Sequence, residues 1–198
     1  MNYLAHAYLS FNQPEILVGN MISDFVKGKK KFDFSPGIQK GIALHRAIDE
    51  FTDFHPVTRE AKTYFKNDYR LYSGAFIDVV YDHFLANDKK EFLDAILLKS
   101  FCEATYSSLY NYSNSLPDKF LQMLPYMREQ DWLYHYSFKE GIEKSFGGLV
   151  RRSTYLTESR KAFETFNKYY DELSECYQLF FPSLKNFAIQ HLNELNNS

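Results

Sequence analysis

Only two cysteines, one tryptophan, six prolines and eight glycines occur in 198 residues. Cys102 and Cys176 stand far apart without metal-ligand spacing, which excludes a disulfide framework and leaves two core thiols suited to a reducing compartment. Scarce glycine and proline argue against disorder and leave long helices open to the chain. No apolar run approaches the ~18 residues of a membrane span. The first residues carry no basic leader, and His6 interrupts what would be the apolar part of a signal peptide, so a soluble cytoplasmic protein is expected. A formal net charge of -2 argues against a general nucleic-acid binder. Also missing are a Gly-rich phosphate loop, a Gly-x-Ser-x-Gly elbow and His-Glu-x-x-His. The absence of Glu-x-x-His counts against a ferritin-like di-iron bundle. Neither thiol has a histidine nearby in sequence, which disfavours a cysteine nucleophile.

What is present is a chain of 45% hydrophobic residues, 18% of the total aromatic. Its length fits a single domain, residues 1–198, with a continuous core burying roughly 70% of the unfolded surface. Nearly every segment reads as helix. Pro14 and Pro36 suit first-turn positions, with Ser35 as a cap, and a helix over 36–53 carries Ile38, Ile42, Leu44, Ile48 and Phe51 at helical spacing. Pro56 opens a helix to about Phe65, and 73–86 shows a further apolar stripe. Asp88 with Glu91 resembles a capping box opening a helix through Tyr110. Pro117 and Pro125 are expected to bracket a short helix and Gly147-Gly148 to mark a turn or kink. Thr157 is expected to begin a helix that Pro182 breaks. No alternating strand pattern or internal repeat is evident, so the fold class is all-α.

Within the first 83 positions lie His6, Asp24, His45, Asp49, Asp53, His55, Asp78, Asp82 and His83, set on apolar helices. Burying unpaired charge costs several kcal/mol, and a divalent metal removes that cost. His45 and Asp49, Asp49 and Asp53, and Asp78 and Asp82 are each four apart, which puts each pair on one helix face about 5–6 Å apart at Cβ. Carboxylates mixed with imidazole suit Mg, Mn, Fe or a two-metal centre better than structural zinc. The competing readings are buried His-Asp hydrogen bonds, or solvated charges on an exposed face. Asp24 near a helix C-terminus opposes the dipole and calls for a compensating positive charge. Lys27, Lys29, Lys30 and Lys31 form a short basic loop, in the first instance a solvated one.

Four stretches occur in order. They are Met1-Asn-Tyr-Leu-Ala-His6; Gly19-Asn20 with Asp24-Phe-Val-Lys-Gly28; His45-Arg46-Ala-Ile-Asp49-Glu-Phe-Thr-Asp53-Phe-His55-Pro56; and Asp78-Val-Val-Tyr-Asp82-His83-Phe84-Leu85. Together they resemble the acyl carrier protein phosphodiesterases over the first 85 or so residues. The resemblance implies a single-domain helical bundle akin to a divergent HD-domain fold. It also implies hydrolysis of the phosphodiester joining 4'-phosphopantetheine to a carrier-protein serine, and a divalent metal, Mn²⁺ foremost, with Mg²⁺ or Fe²⁺ as alternatives. The doublet Asp82-His83 reverses the His-Asp order of ordinary HD domains.

On this reading Asp24, His45, Asp49, Asp78 and Asp82 form the metal centre. His83 and His6 are candidate proton donors or supports, and Arg46 a phosphate clamp. Carrier proteins of this type are acidic, so Lys27, Lys29, Lys30, Lys31, Arg151 and Arg152 are the candidate docking residues. Neither nucleic acid nor membrane is expected as a partner. An HD-type nucleotide phosphohydrolase and a non-catalytic helical adaptor remain as alternatives.

Overall fold

A computed structural model describes residues 1–197, and among these every regular element is helical. The α-helices are α1 (Tyr3–Tyr8), α2 (Pro14–Ile22), α3 (Pro36–Phe54), α4 (Pro56–Tyr69), α5 (Ser73–Asn87) and α6 (Ala95–Asn111). They continue with α7 (Asp118–Glu129), α8 (Trp132–His135), α9 (Lys139–Arg152), α10 (Arg160–Lys168) and α11 (Tyr170–Asn197). Short 3₁₀ turns fill several of the connections. The all-α expectation holds, and among the described residues no helix is long and apolar enough to cross a membrane. Cys102 and Cys176 are buried free thiols.

Helix α5 is the axis of the core. Phe76, Ile77, Val79, Val80, Tyr81, Phe84 and Leu85 are all buried, and a helix apolar on every side must be enclosed. The high aromatic content is spent around it. Phe76 stacks on Phe65 and meets Phe146 edge-on at 5.0 Å, while Tyr81 stacks on Phe180 at 5.0 Å. Helices α1 and α9 pack on α5, and α11 lies across α3, α4 and α5.

Helices α2 and α3 approach each other more closely than ordinary side chains allow. A Cβ on Gly19 would stand 2.1 Å from the Ile38 carbonyl oxygen, and one on Gly41 would stand 2.3 Å from the Ile16 carbonyl. Two glycines facing each other thus let the backbones touch. Serine and proline start α3 as the sequence implies, with Ser35 Oγ accepting from the Ile38 amide at 3.5 Å.

Several boundaries differ from expectation. The cap of α6 is Asp94, whose Oδ1 accepts from the Leu97 amide at 2.8 Å. Asp88 instead turns the chain by accepting from Lys90 N at 2.9 Å. An Asp followed by free amides caps whichever turn the packing selects. Pro125 and Pro182 lie inside α7 and α11, and Gly147-Gly148 inside α9. Around Pro182 the buried Phe180, Phe181 and Leu184 hold the helix on both sides of the lost amide, so packing outweighs the breaker. No helix begins at Thr157; α10 starts at Arg160 and a separate α11 follows.

The glycine contact generates a paired prediction. Gly19→Ala should cost about 1–3 kcal/mol by overpacking, whereas Gly147→Ala, whose added methyl finds only Arg151 Nη1 at 3.6 Å and Ser159 Oγ at 3.9 Å, should be neutral or stabilise by about 0.5–1 kcal/mol. Urea denaturation of the two variants measures both. Equal effects would show that the α2–α3 approach has slack.

Candidate metal centre

Three helices converge on one cluster. His6 on α1 and His45 on α3 stack ring on ring, centroids 3.9 Å apart, and both are nearly inaccessible at 3% and 5% exposure. Their Nδ1 atoms are held by a single residue of α2. Asn20 Oδ1 lies 2.8 Å from His6 Nδ1, and the Asn20 carbonyl oxygen 2.7 Å from His45 Nδ1. The Asn20 amide nitrogen donates to His6 O at 2.8 Å and Ser10 Oγ at 3.1 Å, which fixes its oxygen toward the ring. Both acceptors require a proton on Nδ1, so each neutral ring turns its Nε2 lone pair into the cluster.

Those Nε2 atoms meet only carboxylates. His6 Nε2 is 3.2 Å from Asp49 Oδ1, and His45 Nε2 is 3.1 Å from Asp49 Oδ2 and 3.4 Å from Asp24 Oδ1. Both Nε2 atoms are buried without a hydrogen-bond donor. Lone pair facing lone pair is repulsive unless a positive charge lies between. A proton on each ring would stack two imidazolium ions, so only one proton is accommodated. Burial lowers both rings, but the Asp24 and Asp49 hydrogen bonds bring His45 up to about 9. His6 falls to about 4 through burial and the His45 charge. Burial raises Asp49, yet the Met1 ammonium and the two rings hold it well below the usual carboxylate range. Asp24 is lowered by the His45 hydrogen bond. His6, His45 and Asp49 offer ligand atoms within 4.8 Å of one another. Two imidazole nitrogens and carboxylate oxygens, with orphaned buried lone pairs, fit a divalent cation.

The other sequence candidates lie around this cluster or away from it. Asp78 joins it indirectly, since the Met1 ammonium sits 3.0 Å from Asp78 Oδ1 and 3.3 Å from Asp49 Oδ1. Asp82 is fully buried and spends its oxygens on the start of α1. Oδ2 accepts from Leu4 N at 2.7 Å, and Oδ1 from Asn2 N and Ala5 N at 3.3 Å. Burial pushes its carboxyl up to about 7 against those amides and the Met1 ammonium. His83 is turned away, with Nδ1 donating to Tyr136 O at 2.7 Å and Nε2 accepting from Tyr170 Oη at 2.9 Å. Arg46 is exposed, and its guanidinium donates to the Val26 carbonyl at 3.1 Å, just past Asp24. Asp53 pairs with Lys62 at 2.7 Å, and His55 sits between α3 and α4.

Of the basic residues, Lys27, Lys29 and Lys30 are exposed, and Lys31 lies over the Phe32 ring. Lys29, Lys30 and Lys31 lie in a 3₁₀ turn, Gly28–Asp33, rather than an irregular loop, and Lys27 precedes it in extended conformation. Lys30 lines one surface depression, and Arg151 and Arg152 line another. Sequence reasoning missed the role of Asn20, which no local spacing encodes because its partners lie 14 and 25 positions away.

Among the described residues, then, an all-helical fold brings two imidazoles and a carboxylate to one point, with Asp24 beside them, as a candidate metal-binding site. The family model described as acyl carrier protein phosphodiesterase matches residues 1–184, and the chain belongs to that family. An acyl carrier protein phosphodiesterase of Yersinia pestis is 31% identical over 191 residues, covering 96% of this chain and 98% of its own. Namesakes from Yersinia enterocolitica and Photorhabdus laumondii are 30% and 29% identical. They cover 95% of this chain, and 97% and 95% of their own lengths. No solved structure matches the chain.

His83 generates a pH prediction. Burial pushes its imidazole down to about 4, while an unfolded histidine titrates near 6.5. The folded state therefore resists protonation. The stability is intact above pH 6.5 and falls by about 2–4 kcal/mol as pH drops to 4. Urea melts of wild type and His83→Asn should show a shallower acid slope in the variant, and parallel slopes would contradict the assignment.

Proposed function

We propose that this chain hydrolyses the phosphodiester linking 4'-phosphopantetheine to the serine of holo acyl carrier protein, releasing apo carrier protein. We further propose a divalent cation, Mn²⁺ foremost, held by His6, His45 and Asp49 and completed by Asp24. The observation that carries the cation is the pair of buried Nε2 atoms converging on carboxylates, where a single proton, on His45, leaves His6 Nε2 facing Asp49 without a donor. Family membership supports the substrate.

In the proposed reaction, water adds to phosphorus and the serine oxygen leaves, so the phosphate stays on the pantetheine. A cation bound here would neutralise phosphodiester charge and make a water more acidic. The chain's own residues supply orientation. Asn20 fixes both imidazoles as Nδ1–H tautomers, which presents two Nε2 ligands without a rearrangement on binding. Asp24 and Asp49 are held ionised, so they suit ligation rather than proton donation. Arg46 tethers the Val26 backbone and so steadies the segment that carries Asp24, and its exposed guanidinium keeps further donors for a phosphate oxygen. Asp82 serves by anchoring α1, and with it His6. His83, whose ring nitrogens bond to Tyr136 O and Tyr170 Oη, is proposed as a structural support rather than a proton donor.

A cation that binds only the native state stabilises it, by about 2.7 kcal/mol at a hundredfold excess over Kd. Melts with Mn²⁺ and with chelator should therefore differ. Asn20→Ala should weaken Mn²⁺ binding by about 10- to 100-fold by calorimetry, and His45→Ala and Asp49→Ala should lose it along with release of phosphopantetheine. Asp171→Ala, far from the cluster in sequence and exposed, serves as the reference. Identical melts, together with metal-free protein by elemental analysis, would remove the cation from the proposal.

The lysines after Asp24 are proposed to steer an acidic carrier. Charge reversal at Lys29 and Lys30 should lower kcat/KM and flatten its dependence on salt while leaving kcat nearly unchanged. Stopped-flow association over a salt series measures it. An unaltered salt slope would assign docking to another surface.

A further inference from the structure

A second cleft, of about 600 Å³, opens between the start of α1 and helices α7, α8 and α9. Its wall is amphipathic. Tyr3, Met123, Trp132 and Tyr136 give an apolar lining, and Asn2, Gln130 and Ser145 offer hydrogen-bonding groups. Along α9 the residues Gly141, Lys144, Gly148 and Arg151 recur at helical spacing, and all line it. Gly148 leaves the space open, since an added Cβ would find only Arg151 Nη2, at 3.8 Å.

Two features mark this cleft as built rather than incidental. Tyr136 is only 4% exposed and lines the cleft, yet its hydroxyl makes no hydrogen bond to any described residue. That hydroxyl is not among the buried unpaired atoms, so it is open to the cleft and free to donate to a ligand acceptor there. Lys144, Arg151 and Arg152 also line the cleft and form no ion pair among the described residues. The helix dipole accounts for arginines in the last turn of α9, but not for Lys144 two turns earlier on the same face.

The cleft shares α1 with the cation cluster: Asn2 and Tyr3 at the start of that helix line the cleft, and His6 lies one turn further on. Tyr3 lies within electrostatic reach of Arg152 on one side and Asp24 on the other, and Tyr136 within reach of Asp82, the acid that anchors α1. We infer that this cleft is the subsite for the flexible, amide-bearing arm attached to the scissile phosphate. Its aromatic wall takes the methylenes and gem-dimethyl carbons, Tyr136 and Gln130 meet the amides, and the three cations draw in the phosphate end. This rests on the phosphodiesterase reading for the reaction, but the binding claim stands separately.

The sole tryptophan, Trp132, lies in the cleft and reports on it directly. Titrating the full chain with 4'-phosphopantetheine should give a saturable change in its emission. Pantetheine should bind more weakly, and inorganic phosphate alone should leave the emission unmoved. Tyr136→Phe should weaken the affinity about three- to tenfold, and Lys144→Glu with Arg152→Glu about tenfold or more. On holo carrier protein the same variants should raise KM by those factors while kcat moves less than about threefold. No saturable emission change, or variants that bind the probe as wild type does, overturns the subsite. If the probe binds and the variants weaken it, yet wild type releases no phosphopantetheine from holo carrier protein, the subsite stands and the hydrolase reading falls.

Discussion

Two imidazoles hang on one asparagine, and the rest of the candidate site depends on that contact. Asn20 can reach both rings because its side chain and its own carbonyl point to opposite partners, one on α1 and one on α3. The carbonyl reaches His45 only where α2 and α3 run nearly backbone to backbone, which the facing glycines at 19 and 41 permit. A methyl group between them would open a gap wider than a hydrogen bond tolerates. Packing at two glycines, residues without any chemistry of their own, thus decides which nitrogen of a histidine faces the cluster. The tautomer is a consequence of helix spacing.

His6 needs a second support, because α1 is six residues long and too short to hold itself. Asp82 provides it from the middle of the most buried helix. A buried carboxylate is expensive, and three amides of a helix start, together with the Met1 ammonium, offset that cost. The trade is reciprocal: the amides at the start of α1 would otherwise go unsatisfied. His6 is therefore placed by two polar contacts from different helices, Asn20 at its ring and Asp82 at its backbone.

The all-α fold, the span of α5 and the starts of α2, α3 and α4 were legible because each is written locally, in apolar spacing and in proline or serine at a first turn. The internal positions of Pro125 and Pro182 were not, since what keeps those helices going is burial of residues such as Phe180 and Leu184 against distant elements. At the site, spacing identified His45 and Asp49 as one face of α3, and the structure keeps them together at 3.1 Å. The same logic grouped Asp78 with Asp82, yet a face shared on one helix does not say what that face meets. One end meets the Met1 ammonium, the other the amides of α1. Adjacent helical residues point about 100° apart, so the Asp82-His83 doublet serves two different neighbourhoods. Nothing local could have revealed Asn20, whose importance lies wholly in contacts across the fold.

The cluster also has a dry side and a wet one. The imidazoles are 3% and 5% exposed, whereas the side chains of Asp49 and Asp24 are 40% and 73% exposed. Any phosphodiester must approach from the carboxylate side, and there it meets charge of its own sign. Two unit charges 4 Å apart repel by about 1 kcal/mol in water and about 4 kcal/mol at the effective dielectric of a protein surface. The Met1 ammonium beside Asp49 offsets part of that repulsion, and a cation bound at the mouth would offset the rest. The orphaned Nε2 atoms behind the carboxylates need a positive charge for their own reason, since their lone pairs face oxygen. On the proposed reading one divalent ion would answer both demands, whereas a proton on His45 answers only the inner one. That asymmetry is the physical argument behind the proposed cation, set beside the His-Asp contacts that the structure holds.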